Sequence, residues 1–368
     1  MTTRFHWHPT TRLIGDDPDI ARLRDRVLAG HGVQIGPAGL IDGEQDPTVL
    51  LCATSGSSGT PKVIRRSPAS WQASFVINAR HLDLGPDSTV AVAGTLASSL
   101  TLYAVLEAAH LGAAILSVQG QRPDRQAMAL QGATVLYLTP VQLGAICAHA
   151  AGPLTSVRHI MVGGGRLDDT TVQAAARTFP AARLTQFYGA AETSFITWTD
   201  ADTPTGSVGR SYPGVNLHLD PDGTIWVRSP YLSDGYAQGD SPHTRWRDGW
   251  LTVGEVGWQD AAGHLFLTGR AGRTVTIADH SVSLDAVEAV LADLTGQPAA
   301  VVALPDPQRG ARLVALICAG VGGLRSACRD RLGPQGVPHR IHRVAVLPLL
   351  ATGKPDYAAI AALAQAMA

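Results

Sequence analysis

Between residues 48 and 190 the chain alternates short apolar runs with stretches of helical pattern, and few folds accept that rhythm. TVLLCAT (48–54), STVAVAG (88–94), AAILSV (113–118), TVLYLTP (134–140) and VRHIMVGGG (157–165) are too short for helices. They stop at glycine, proline or hydroxyl residues, as buried strands do. Between them lie a helical stretch from Ala69 to about Leu82, LTLYAVLEAAHLG ending at Gly112, VQLGAICAHA, and DDTTVQAAARTF with an aspartate near its N-cap. LTQFYGAAET adds a further strand and turn. Strands that alternate with helices predict a parallel-rich sheet with helices on its faces. Residues 1–46 read as polar, with one amphipathic helix around Ile20–Leu28.

After about residue 205 the texture changes. GVNLHLDPDGTIWVRS predicts a hairpin turning at Asp220-Pro221-Asp222-Gly223, and a second hairpin turns at Asp260–Gly263. VSLDAVEAVLADL (282–294) predicts an amphipathic helix, AAVVALPD and RLVALICAG predict strands, and the last residues read as helical. The expected class is therefore α/β: a large N-terminal domain with parallel-rich sheets, helices and a small antiparallel β region, then a small mobile C-terminal α+β lid. The expected boundaries are 1–269 for the large domain, 270–273 for a hinge, and 274–368 for the lid.

Composition narrows the function. The chain is 45% apolar and 16% charged with a formal net charge of −1, so no global field favours nucleic acid or an anionic membrane. No apolar run reaches eighteen residues, so no membrane span is expected. MTTRFHWHPTTRL lacks an apolar core for a secretory leader. Cys52, Cys147, Cys318 and Cys328 form no metal spacing and read as reduced, mostly buried thiols of a cytoplasmic protein.

TSGSSGTPK (54–62) follows the first strong strand and cannot build a core. Its glycines let backbone N–H groups converge, its hydroxyls add donors, and Lys62 adds a mobile charge, a combination suited to polyphosphate. Composition alone favours a solvated turn, and it is the order of the residues that is specific. It is not a Walker loop, because Pro61 separates Gly59 from Lys62 and no hydroxyl residue follows. On this reading the order is strand, loop, helix. Lysine is rare: Lys62 and Lys354 are the only two in the chain.

Five segments in order carry a resemblance. TSGSSGTPK resembles the phosphate-binding loop of the adenylate-forming superfamily, which includes acyl- and aryl-CoA ligases, nonribosomal peptide adenylation domains and beetle luciferases. GGGRL (163–167), FYGAAET (187–193), DGWLTVGEVGW (248–258) with FLTGR (266–270), and TGKPDY (352–357) resemble its later motifs. The match spans most of residues 48–357 and points to the acyl/aryl-CoA synthetase branch. In length the chain is similar to short bacterial o-succinylbenzoate-CoA ligases.

The resemblance implies ATP, Mg²⁺ and CoA. It implies that Thr54, Ser55, Gly56, Ser57, Ser58, Gly59, Thr60 and Lys62 grip the β- and γ-phosphates. Tyr188 would lie against adenine opposite Gly163, Gly164 and Gly165, with Gly189 and Ala190 beside it. Glu192 would hold Mg²⁺, and Glu255 would accept hydrogen bonds from the ribose. Arg270 would contact ribose or phosphate. Lys354 would reach in from the lid to stabilise the transition state, a role whose loss costs roughly 10²–10³ in rate. The acyl pocket would be lined by Ala97, Ser98, Leu102, Gly164, Ala190 and Phe195. It carries no aspartate for a substrate ammonium, which favours an apolar acyl or aryl acid.

Several positions depart from the superfamily pattern. Ala191 replaces a hydroxyl residue, Glu255 replaces aspartate, and Arg273 replaces the hinge acid or lysine. ADHS (278–281) is shorter than the usual loop, and the phosphate loop begins early in the sequence, so a reduced N-terminal subdomain is expected. The implied reaction is ATP-dependent formation of an acyl-adenylate with pyrophosphate release, then thioester formation with CoA. The alternatives are delivery to a carrier-protein phosphopantetheine or an amine, and a degenerate nucleotide-binding homologue. The expected partner is a small carboxylic acid. The oligomeric state stays open, a homodimer being compatible.

Overall fold

The computed structural model describes residues 4–54, 62–165, 167–277, 280–350 and 355–367. An eight-stranded sheet runs in the order Leu13–Ile14, Ala114–Ser117, Thr89–Val92, Val135–Leu138, His159–Val162, Arg183–Ala190, Ser194–Trp198 and Arg210–Ser211. The first six strands are parallel and the last two antiparallel. Strand parity explains the continuous apolar runs. Val90, Val92, Val135, Tyr137 and Met161 enter one core, while Ala91, Leu136, Leu138, Ile160 and Val162 enter another. A sheet buried on both faces has no polar side to show in the sequence.

The helices Pro68–His81, Ser99–Leu111, Pro140–His149 and Asp169–Thr178 lie where the periodicity places them. Gly112, at φ +80, ends the second. Asp168 caps the fourth by accepting from the backbone N–H of Thr171. The helix at Pro18–Leu28 is also as expected.

Two expectations are corrected. Leu50–Thr54 is not part of the parallel sheet. It belongs to a five-stranded sheet in the order Gly235–Gln238, Lys62–Arg66, Leu50–Thr54, Val33–Gly36 and Gly39–Ile41, whose last two strands lie in the region read as polar. Nor does a helix follow the phosphate loop directly. Lys62–Arg66 is a strand antiparallel to Leu50–Thr54, with Thr54 opposite Lys62. Lys62 and the adjacent arginines 65 and 66 hide the β pattern of Val63 and Ile64. The loop therefore joins two paired strands.

Asn216–Leu219 and Ile225–Arg228 form the first expected hairpin, and Glu255–Gln259 with Leu265–Arg270 the second. A short 3₁₀ turn, Ala271–Arg273, precedes the strands Thr274–Ile277 and His280–Ser283. A three-stranded sheet follows, Ala299–Asp306, Gly310–Ile317 and Arg340–Arg343. The helices Leu284–Thr295 and Tyr357–Ala366 pack it through two cores of its own. Among the described residues no helix is long and apolar enough to cross a membrane. The four cysteines are free, but only Cys52 and Cys328 are buried, against an expected majority.

One group in the large core is out of character. Glu107 is fully buried. Its carboxyl accepts from Asn78 Nδ2 (2.9 Å), Tyr103 Oη (3.0 Å) and, through a short bond, Tyr137 Oη. Burial pushes its pKa up to about 7 against the pull of these donors.

Candidate active site

The C-terminal edge of the parallel strands carries part of the predicted set, at the position where open α/β sheets bind ligands. Gly163–Gly165 follow the His159–Val162 strand, Ala97 and Ser98 lie beyond Thr89–Val92, and Tyr188–Glu192 close the Arg183–Ala190 strand. Glycine at 163 is a packing requirement: a Cβ there would lie 2.2 Å from Phe187 Cζ. Gly189 lets two strands touch, since its Cβ would lie 2.0 Å from the Ser194 carbonyl oxygen. Gly164 takes φ +84, a conformation glycine adopts freely.

The turn from Ala190 to Ser194 is tightly held. The Ala190 N–H donates to Thr193 Oγ1 (3.0 Å), and the Glu192 carbonyl accepts from the Ser233 N–H (2.7 Å). The Tyr236 hydroxyl donates to Glu192 Oε1 (2.7 Å) and lies 3.0 Å from Thr244 Oγ1. Burial and the Glu192 carboxylate both push the Tyr236 phenol pKa upward, so it stays a donor. Lys62 Nζ lies 5.9 Å from the Tyr236 ring centroid. Lys62 and Glu192, far apart in sequence, are thus bridged by one tyrosine.

A second cluster joins Tyr188 to the hairpin of Glu255–Gln259 and Leu265–Arg270. Glu255 and Arg270 pair across their hairpin, and the Arg270 Nε donates to Glu255 Oε1 at 2.9 Å. The carboxylate raises the Arg270 pKa against the opposing effect of burial. Tyr188 is coupled to the same pair. Burial lifts its phenol pKa well up, Glu255 adds to that, and Arg270 opposes it. Its hydroxyl is buried with no hydrogen-bond partner among the described residues.

The acyl-pocket residues divide. Leu102 and Phe195 are buried in the large core, where Phe195 stacks on Tyr212 and meets Tyr103 edge-on. Ala97, Ser98 and Ala190 are half-buried, and Gly164 is exposed. Thr54 is half-buried at the strand end. Ser55, Gly56, Ser57, Ser58, Gly59, Thr60 and Lys354 lie outside the described residues.

Sequence reasoning overlooked Tyr236, Arg66 and Ser194. Arg66 donates to the Ala191 carbonyl (2.7 Å) and to Ser194 Oγ (2.8 Å). Strand parity was the available signal, because Lys62, Ile64 and Arg66 share the buried face of their strand.

The donor set suits a magnesium nucleotide. Among the described residues no group of three or more metal-ligating side chains exists. Mg²⁺ bound to polyphosphate needs only one or two protein carboxylates and keeps water for the rest. Glu192, whose carboxylate accepts from Tyr236, meets that need for one carboxylate. The orphaned Tyr188 hydroxyl beside Glu255 and Arg270 fits a polar ligand edge.

The chain matches the AMP-binding enzyme family over residues 22–237 and the C-terminal domain of AMP-binding enzymes over residues 286–354. The chain belongs to the AMP-binding enzyme family. The uncharacterized acyl–CoA ligase YhfT of Bacillus subtilis is 28% identical over 82% of this chain, which spans 65% of that ligase's length. A putative long chain fatty acid-CoA ligase, VraA of Staphylococcus epidermidis, is 27% identical over 82% of the chain and 68% of its own length. Among solved structures, the amide bond synthetase McbA from Marinactinospora thermotolerans superposes with a TM-score of 0.75 at 28% identity, covering 87% of this chain and 69% of McbA. The o-succinylbenzoate CoA synthetase of Bacillus subtilis with its acyl-adenylate intermediate matches at 0.74 and 21% identity, covering 84% and 68%, a likeness of fold. Within this adenylate-forming superfamily, Glu192, Tyr188, Glu255 and Arg270 occupy the segments that the sequence motifs singled out.

Proposed function

We propose that the chain activates a carboxylic acid by adenylation and passes the acyl group to CoA. The supporting observation is the bridge at Tyr236, which links the Glu192 carboxylate to Lys62 at the start of its strand, together with the cluster of Tyr188, Glu255 and Arg270. An acid attacking the α-phosphorus brings one anion to another, so positioned cations carry the reaction. Lys62 and the hydroxyls of residues 54–60 would hold the β- and γ-phosphates. Glu192 would hold the Mg²⁺, which neutralises phosphate charge. Glu255 would accept from the ribose, and Arg270, then released from Glu255, would face ribose or phosphate. Lys354 would be carried in by the segment 274–368 turning about 270–273. The half-buried Ala97, Ser98 and Ala190 favour an apolar acyl or aryl acid.

A specific observation supports a second acceptor. Ile277 pairs directly with His280, so only two residues connect these strands. The segment that would line a pantetheine tunnel is short here, which suits an amine as acceptor; a carrier-protein phosphopantetheine would need the same tunnel as CoA. The relative McbA is an amide bond synthetase.

Carboxylate-dependent ATP–pyrophosphate exchange over fatty, aryl and dicarboxylic acids tests adenylation. Exchange with at least one acid is expected, and its absence across the panel with intact protein overturns the reading. Thioester formation with free CoA then decides between the acceptors.

A further inference from the structure

We infer that Arg66 is the positioning residue of the turn that carries Glu192. The inference rests on the adenylating reading above. Arg66 is 1% exposed, and among the described residues no carboxylate forms an ion pair with it. Burial pulls its pKa down to about 10, partly opposed by Cys52, Glu192 and Asp234. A buried cation without a directly bonded anion is costly. Its compensation is a set of neutral acceptors. Besides Ala191 and Ser194, it donates to Ser70 Oγ (3.2 Å) and the Tyr231 carbonyl (3.3 Å), and its plane lies 5.1 Å over the Trp71 ring.

What this clamp holds is strained. Ser194 has φ +57, a region that costs a residue with a Cβ about 1–2 kcal/mol. Its hydroxyl accepts from Arg66 and from Trp71 Nε1 (3.1 Å) and donates to the Tyr231 carbonyl (3.2 Å). The guanidinium therefore grips the turn at both flanks of Glu192, at Ala191 and at Ser194. Arg66 also shares a strand face with Lys62, four residues or roughly 13 Å away. One rigid strand thus sets the span between the phosphate lysine and the metal carboxylate. A strut serving the fold alone has no need to bond the chain on both sides of Glu192.

The test uses the full chain with Arg66→Met, Arg66→Lys and Tyr236→Phe. Arg66→Met should raise the Mg²⁺ concentration for half-maximal ATP–pyrophosphate exchange by roughly tenfold or more, as loss of an outer-shell partner does. The rate at saturating Mg²⁺ should change less, and Arg66→Lys should recover part of the shift. Amide hydrogen exchange at residues 190–194 should quicken in Arg66→Met while the parallel strands keep their protection. Tyr236→Phe should move the Mg²⁺ dependence without that loss of protection. If Arg66→Met does not fold, Arg66→Lys is read by the same two measures. An unchanged Mg²⁺ half-saturation, or loosening spread evenly over the domain, overturns the inference. Should wild type show no exchange activity, the adenylating reading fails; amide protection at 190–194 and Mg²⁺·ATP binding by calorimetry still decide whether Arg66 orders this turn for a metal nucleotide.

Discussion

Arg66 in the large domain and Arg273 at the start of the C-terminal segment are both withdrawn from water, but on opposite terms. Arg66 is surrounded by hydroxyls, carbonyls and an indole. Arg273 is clasped by carboxylates: its Nε donates to Asp285 (2.5 Å), its NH2 to Glu288, and its plane lies 3.8 Å over the Tyr357 ring. Burial lowers the Arg273 pKa, but Glu288, Tyr357 and Asp285 outweigh it and the net shift is upward. For Arg66, burial wins. The difference separates a cation that orders a turn next to a ligand site from one that neutralises its own surroundings. Tyr357 lies three residues beyond Lys354, so the Arg273 clasp also fixes where the segment after the second lysine begins.

Arg273→Met should have the largest effect on stability. It strands Asp285 and Glu288, and breaking one side of a buried pair costs about 3 kcal/mol. Burial already holds the Glu288 pKa above the usual carboxylate range. Once unpaired, Glu288 binds its proton more tightly in the folded state than in the unfolded chain. The deficit relative to wild type should therefore be greatest near pH 8 and shrink on acidification. Thermal unfolding at pH 5.5 and 8 reads it. An equal deficit at both values would mean that the carboxylates are not what Arg273 compensates, and the contrast with Arg66 would lose one side.

Glu107 is the anionic counterpart of Arg66, buried among neutral donors. Its folded pKa of about 7 lies above the ordinary 4.5, so the native state holds a proton that the unfolded state releases. Stability gained from this group is present below about pH 4.5 and lost as pH rises through about 7, by up to about 3 kcal/mol. Glu107→Gln should flatten that slope and raise stability at pH 8. A pH profile unchanged by the substitution would show that the three donors already meet the carboxylate's needs.

The sequence foretold these regions unevenly. The parallel sheet was readable because its strands are buried on both faces and its helices carry capping residues such as Asp168 and Gly112. The Lys62–Arg66 strand was not, because buried cations break the apolar run. Glu192 and Tyr188 were visible as a motif, yet Tyr236, which bonds Glu192, and Arg66, which bonds Ala191 and Ser194 beside it, were hidden. Tyr236 lies in a region whose pairing with the Lys62–Arg66 strand no local pattern reports. Ser194 carries no local sequence signal, and only tertiary contacts account for its left-handed backbone.

Ser194→Ala extends the comparison at an intermediate scale. It leaves the positive φ in place and removes the hydroxyl that Arg66 and Trp71 address. Loss of these bonds, one of them to a charged group, should cost about 1–2 kcal/mol. Ser194→Gly relieves the backbone as well, so it should be the less destabilised of the two in chemical denaturation. The reverse order would indicate that the turn is not under strain, and Arg66 would then hold an already relaxed segment.

The smallest effect on the fold is expected where an arginine is still available to a ligand. Arg270 is half exposed, its side chain 52% accessible, and it is paired with Glu255, whose side chain is 13% accessible. Water screens such a pair, so Arg270→Gln should change stability by no more than about 1 kcal/mol. Unlike Arg66 and Arg273, Arg270 bonds one side chain among the described residues, and that partner is the residue proposed to accept from the ribose. A nucleotide hydroxyl donating to Glu255 competes with Arg270 for the same carboxylate, freeing the guanidinium to face the nucleotide. Arg270→Gln should therefore raise the KM for ATP in the exchange assay while unfolding hardly moves. A large loss of stability with an unchanged KM would put Arg270 in the same class as Arg273, a cation committed to the fold, and the nucleotide would have to be held from the Lys62 and Glu192 side.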